Sequence, residues 1–414
     1  MKTESEIVAR QYETWSYPKP EPDLAVYTQA GSYDFSDPSL FRRKLWPKKV
    51  EPENLEILIA GCGTIQAATY AYKNPGCHVT AVDISEPSLG HEKYLKQKHN
   101  LENLDLYLMS LGEVASLRKS YDLIVSTGVL HHLPDPDAGL RVLRDVLRPH
   151  GVMSLMLYGY YRRFGVYMMQ EAFRLAKLEQ DEYGVSLVKQ AVAALPPWHH
   201  VKTYISGAPD LEYDAGFVDT FLHRQDRAYT VPQVLAFATE NGLKFQCWLD
   251  NLNYSVAAAF SVGHPLRDIA YALPKEDQWH MVELVAQSLG CHRFLLCHPN
   301  RPASDYTLDF SINAETAAWM EYIPTVRPPI VVLEPANLDS DTPARLKRDW
   351  QTFELSPLEA QMMMQVDGQK TIRMIVEMQP WLKKDLSQRL ALAQAFFARM
   401  ADLDHLQFEL SSVS

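Results

Sequence analysis

Three groups of residues in this chain have the types and spacing to do chemistry. The first is LEILIAGCGT, residues 55–64, followed one βα unit later by HVTAVDIS, residues 78–85. An apolar run entering Gly61, Cys62, Gly63 and Thr64 reads as a buried strand, a tight glycine turn and a helix start. Such a unit brings backbone N–H groups and a helix N-terminus up to a nucleotide-like ligand. Asp83 follows the glycines at roughly 20 residues, where a carboxylate can accept hydrogen bonds from both hydroxyls of a ribose. The second group is the pair His131-His132 in YDLIVSTGVLHHL, residues 121–133; an imidazole there can serve as a base or anchor an acceptor. The third is DTFLHRQDRAY, residues 219–229, which gathers Asp219, His223 and Asp226 with Arg224, Arg227 and Tyr229. His223 and Asp226 stand three apart, so a helical turn would set them on one face, able to hold one polar acceptor group. The competing reading of this segment is a salt-bridge network that pins it to the core.

Several elements must position these groups. Residues 121–127 read as a fourth buried strand. The stretch PDPDAGLRVLRDVLRPHGVMSLMLYG has Leu140, Leu143, Val146 and Leu147 on one helical face, with a Pro149/Gly151 stop before a fifth strand. From 160 to about 230 the pattern predicts a helical insertion, with amphipathic stretches at 167–178 and 185–194. A helix starting at Thr230-Pro232 and ending at Gly242 leads into a sixth strand over 243–249, and HRFLLCH supplies a seventh. Ligands of such sheets bind beyond the carboxyl ends of the parallel strands. That rule places Thr127, Gly128, His131 and His132 beside the glycine turn.

The glycine turn is not a complete dinucleotide fingerprint, because Gln66 stands where the third glycine would be. It resembles the first motif of the class I S-adenosylmethionine (SAM) methyltransferases, acidic-x-Gly-x-Gly-x-Gly, with Ile59 and Ile65 as departures. VLHHL and the LRPHG element follow in that family's order over about 100 residues, His150 replacing a glycine. The segment D-x-F-L-H-x-x-D-R-x-Y, the N-terminal Y-x-x-x-x-Y-P at Tyr12 to Pro18 and AGCGT resemble a group of bacterial methyltransferases, some fused to tetratricopeptide repeats. The resemblance implies an α/β fold, a doubly wound seven-stranded Rossmann-like sheet with a helical insertion. It implies SAM held by Gly61, Cys62, Gly63, Thr64, Asp83, Ile84, Ser110, Leu111, Thr127 and Gly128. Ser110 stands where many relatives carry an acidic residue, which leaves adenine to its hydroxyl or to backbone near Leu111. Tyr12 and Tyr17 belong to an aromatic, proline-rich N-terminal segment, residues 1–49, that is either a lid over the cofactor or a strap on the core. The catalytic candidates are His131, His132, Asp219, His223 and Asp226.

The chain has 414 residues and a formal net charge of −11. That charge argues against a nucleic-acid-coating surface, although Arg42, Arg43, Lys44, Lys48 and Lys49 form one local basic cluster. Five scattered cysteines without a Cys-x-x-Cys pair suggest neither a zinc site nor a disulfide framework. The opening MKTESEIVARQ lacks a signal-peptide apolar stretch, and no run reaches the roughly 20 apolar residues of a membrane span; the expectation is a cytoplasmic enzyme that binds neither membrane nor metal.

Residues 50–300 read as the methyltransferase core. Residues 301–414 read as a smaller α+β domain whose LSPLEA…DGQKTIRMIVE resembles winged-helix, PqqD-like modules. Its Met362-Met363-Met364 run is expected in the core. The insertion and this extra domain point to a protein acceptor that docks on both, its methylated atom in a side chain. On architecture alone, the asparagine methyltransferases of phycobiliprotein β-subunits are a specific candidate. A small-molecule N- or O-methyltransferase and a non-catalytic SAM-fold scaffold remain alternatives, and the oligomeric state is open.

Overall fold

The computed structural model describes residues 11–15, 17–29, 36–48, 54–287, 289–311, 317–337, 340–348, 351–378 and 386–410. By internal contacts the chain divides into two compact units. One comprises Met1–Leu40, Pro52–Leu249 and Glu283–Arg301; the other comprises Phe41–Glu51, Asp250–Val282 and Pro302–Ser414.

The first unit is built on seven principal strands: β1 Glu56–Ala60, β2 His78–Asp83, β3 Leu104–Leu108, β4 Tyr121–Thr127, β5 Leu147–Gly159, β6 Lys244–Trp248 and β7 Cys291–Cys297. Their order is β3-β2-β1-β4-β5-β7-β6, and a two-residue strand, Ala228–Tyr229, also pairs with β5. β1 through β5 are parallel, and β7 runs antiparallel between β5 and β6. Near-continuous apolar strands are what a sheet covered on both faces requires; β1 and β4 are buried along almost their whole length. This is the doubly wound sheet with an antiparallel last strand that the sequence predicts. Strand order reverses between β1 and β4, which pair directly through Ile59 and Val125. The carboxyl ends of these two strands therefore open a crevice at the switch point, with Gly61 on one side and Gly128 on the other.

Helices start where short polar side chains cap them. Ser85 accepts the Ser88 N–H at the head of α2 (Glu86–Lys98), after α1 (Gln66–Lys73), and Asp135 accepts the Ala138 N–H at the head of α3 (Pro136–Asp145). α3 ends at Asp145 and β5 already begins at Leu147. Pro149 and Gly151 thus lie within the strand and do not supply the helix stop expected of them. The insertion holds α4 (Tyr160–Leu175), α5 (Glu182–Ala194) and a π-helical turn, Val218–Leu222, every residue of which is buried.

The second unit is α+β. It has a three-stranded antiparallel sheet (Val331–Glu334, Ala344–Arg348, Gln351–Leu355), a two-stranded sheet (Ile323–Val326 with Leu406–Glu409) and helices Pro357–Met364, Ile372–Glu377 and Leu386–Asp402. Ser356 and Thr371 cap the first two helices. Its core includes Leu252, Trp319, Met362, Ile372, Ile375, Phe396, Phe397 and Phe408. Met362 and Met363 are buried while Met364 is exposed. Residues 250–282 group with this unit, whereas the sequence reading draws the boundary near 300; Asn251 and Ser255 bond Asp404 and Asp402, and Leu252 is part of the core. The basic cluster near residue 44 is divided, with Arg42 and Lys48 exposed and Lys44 buried. Lys44 is buried against Asp404 at 2.5 Å, Lys48 pairs with Asp305, and Arg43 donates to the Gly368 carbonyl. Lys49 and residues 1–10, 16 and 30–35 of the N-terminal segment lie outside the described residues.

Candidate active site

At the switch point of the first unit lies a cavity of about 700 Å³, the size of a small-ligand site. One end is made by the glycine turn. Gly61 and Gly63 adopt φ of +82° and +57°, left-handed backbone that glycine enters without a Cβ clash. A Cβ on Gly61 would lie 2.2 Å from Val129 Cγ2, so the close approach of the turn to the β4 loop also requires glycine. Asp83, at the tip of β2, accepts the N–H of Gly63 at 2.8 Å and of Ser85 at 2.9 Å. Burial nevertheless raises its carboxyl above the usual carboxylate range. Ile84, Ser110 and Leu111 continue this wall, with Thr127 and Gly128 opposite. The Ser110 hydroxyl accepts the Gly112 N–H within a capping box completed by Glu113. That engagement turns the serine hydroxyl toward its own helix. Thr64 is fully buried behind the turn and donates to the Pro18 carbonyl, so it positions the loop from behind and does not line the cavity.

The other end is polar and aromatic. Asp219, in the π-helical turn, accepts the Tyr12 phenol at 3.0 Å and the Tyr158 phenol at 3.2 Å, one on each oxygen. Tyr12, Tyr17, Tyr158, Tyr204 and His132 share this wall. Burial pushes the Asp219 carboxyl up; neighbouring His132, the Tyr12 hydrogen bond and Arg163 oppose that rise. The N-terminal arm is part of the site. Tyr17 donates to Asp210 at 3.0 Å, Trp15 to the Gln180 carbonyl at 3.0 Å, and Pro18 lies against the glycine turn.

His132 Nδ1 lies 2.9 Å from the Gln225 carbonyl, which can only accept, so its proton sits on Nδ1 and Nε2 presents a lone pair. The Gln225 N–H donates to His223 Nδ1 at 3.0 Å, so neutral His223 carries its proton on Nε2. One peptide unit thereby fixes opposite tautomers in two rings stacked 3.9 Å apart. Ligand-type atoms of His132, Asp219 and His223 fall within 4.8 Å of one another. The protonated Nε2 of His223 and the near-parallel rings keep two imidazole lone pairs from converging on one ion.

His131, His223 and Asp226 lie behind the wall. His131 is buried with both ring nitrogens unpartnered, and burial with neighbouring His132 drives its pKa well down. The expectation that His223 and Asp226 share an acceptor-facing side is corrected. The π-turn ends at Leu222 and residues 223–227 are not helical, so i,i+3 geometry does not apply. Asp226 instead pairs with fully buried Arg163 at 3.0 Å and accepts from Gln170 at 3.1 Å. Arg163 also stacks 3.6 Å over the Tyr158 ring. Sequence reasoning missed Arg163, Tyr204, Asp210 and the Gln225 peptide; only the position of Arg163 just after β5 hinted at a role.

Residues 58–153 match the family described as "Methyltransferase domain". An uncharacterised protein of Synechococcus sp. is 30% identical over 258 residues, 61% of this chain and 62% of the relative. The chain thus spans less than two thirds of that relative's length. PKMT2 from Rickettsia typhi superposes with a TM-score of 0.66 at 15% identity, covering 91% of this chain and 76% of that one. The same protein in complex with AdoHcy gives 0.65 at 14% identity, covering 92% and 76%. At these identities the likeness shows the fold.

Proposed function

We propose that this chain, a class I SAM-dependent methyltransferase by its domain and fold, transfers a methyl group from SAM to a side chain of a protein acceptor. One observation carries the reading. A single cavity joins the glycine turn with Asp83 at one end to Asp219, held by two phenols, at the other. The residues fit the cofactor: the turn has no room for side chains, Asp83 sits where ribose hydroxyls would be, and aromatic faces suit a cationic sulfur.

When bound, SAM supplies an electrophilic methyl on a sulfonium, so the protein's tasks are alignment and removal of one proton. Asp219 is the proton acceptor. Burial makes it a stronger base than an exposed carboxylate, and the two phenols fix its orientation toward the incoming nucleophile. His132, whose tautomer the Gln225 carbonyl holds, offers Nε2 as the neighbouring acceptor. The Arg163–Asp226 pair acts through Tyr158 and is a positioning element. A protein acceptor is supported by the helical insertion that lines the cavity, by the second unit and by the acidic charge of the chain.

Incubating the chain and tritiated SAM with host lysate tests this reading. Label is expected in the protein fraction and absent with Asp219→Asn, while calorimetry shows SAM affinity within about threefold of wild type. Label confined to extractable small molecules would replace the protein acceptor with a metabolite.

A further inference from the structure

Glu92 lies on α2, fully buried, and plays no part in the proton chemistry above. Its Oε1 accepts the Ala67 N–H and its Oε2 the Ala68 N–H, each at 2.9 Å. These are the second and third residues of α1, the helix that the glycine turn feeds. In a strand–glycine turn–helix unit, the positive end of the helix dipole is where a phosphate or pyrophosphate binds; Glu92, Ala67 and Ala68 are fully buried behind the turn and do not line the cavity. Here the chain supplies its own anion. N–H donors on both oxygens favour the ionised carboxylate.

We propose that Glu92 is a specificity-determining residue: from behind the turn it offsets the positive start of α1 and reserves the cavity for a phosphate-free, positively charged adenosine ligand, against phosphorylated nucleotides and uncharged analogues. This rests on the cofactor reading above. Two features of the turn agree with it. Gln66 replaces the glycine that would let a pyrophosphate approach the helix start. The Cys62 thiol, inside the turn, is pushed well up first by burial and then by the charges of Glu92 and Asp83, so the field of both carboxylates reaches the turn. A phosphate entering this field meets repulsion, whereas a sulfonium is attracted and the neutral thioether product gains nothing from it.

The test measures affinities for SAM, S-adenosylhomocysteine and ADP by calorimetry on wild type, Glu92→Gln and Glu92→Asp. Glu92→Gln should lower the SAM-to-S-adenosylhomocysteine affinity ratio about fivefold and raise ADP affinity by about the same factor. Glu92→Asp, which keeps the charge, should keep the ratio near wild type. A loosened loop alone would weaken SAM and S-adenosylhomocysteine in parallel, and an unchanged ratio without a gain for ADP would reduce Glu92 to a helix cap. The wild-type chain gives a check that needs no variant: millimolar inorganic pyrophosphate should not displace bound SAM, and displacement would overturn the proposal. If wild type binds neither SAM nor S-adenosylhomocysteine, the cofactor reading itself fails, and that result is distinct from an unchanged ratio.

Discussion

Tyr12→Phe removes one hydroxyl from the acceptor end of the site and keeps the ring. That hydroxyl donates to Asp219 Oδ1 at 3.0 Å, and Tyr158 holds the other oxygen at 3.2 Å. Burial raises the Asp219 carboxyl, and the Tyr12 hydrogen bond is among the contacts that pull it back down. A hydrogen bond to a charged group contributes about 1.5–3 kcal/mol. Because Tyr12 donates to the ionised form, its loss disfavours ionisation; at about 1.4 kcal/mol per unit the Asp219 pKa rises further, by about one to two units. Asp219 must be ionised to take the acceptor's proton, so the acid limb of kcat/KM moves to higher pH by that amount. The rate on the alkaline plateau stays near wild type, because the carboxylate is present there in both proteins. The Tyr12 phenol is itself pushed well above 10 by burial and then by Asp219, so its own titration does not enter the profile. The assay is tritium transfer to the labelled acceptor across a pH series, at saturating SAM and limiting acceptor. Asp219→Asn should erase the limb and lower the rate by about 10²–10⁴-fold. An acid limb that stays in place in Tyr12→Phe, or moves to lower pH, would refute the assignment of Asp219 as the base.

Two further outcomes are expected. Asp83→Ala should weaken SAM binding by about 2–4 kcal/mol through loss of charge-assisted contacts, and unchanged affinity by calorimetry would remove Asp83 from the cofactor site. In the second unit, burial, followed by the charges of Arg348, Arg327 and Arg399, holds His405 neutral, its pKa pushed down to about 3 against an ordinary value near 6.5. The folded state therefore binds fewer protons than the unfolded state between those two values. Stability that is full above about pH 6.5 is lost as pH falls toward 3, by up to a few kcal/mol. His405→Leu keeps an apolar side chain against Phe353, on which the imidazole stacks at 3.9 Å, and should flatten this slope. Equal losses of urea midpoint between neutral pH and about pH 5 in the two proteins would show that other groups carry it.

How much of this site was legible in the sequence depends on how far apart its partners lie along the chain. Gly61, Gly63 and Asp83 belong to one βα unit, and the Asp83–Gly63 contact spans only 20 residues, so spacing alone placed them. The strands were legible for the same local reason, since buried parallel strands must be apolar throughout. Asp219 is joined to Tyr158 across 61 residues and to Tyr12 across 207; no periodicity encodes such pairs, and the residue types alone made His223 and Asp226 equal candidates. The π-turn decided between them. It buries Asp219 against the cavity and ends at Leu222, before a helical face could carry His223 and Asp226 toward the acceptor. Glu92 shows a second kind of illegibility. A glutamate in the middle of a helix reads as a solvent-facing residue, and only the packing of α2 against α1 turns it inward to meet two N–H groups. The glycine turn announced a nucleotide-like ligand from local spacing, and the incomplete glycine pattern hinted at which kind. The carboxylate that bonds the start of α1 from behind the turn is the physical counterpart of that missing glycine, because a helix start with its own anion has no further need of a close approach by pyrophosphate.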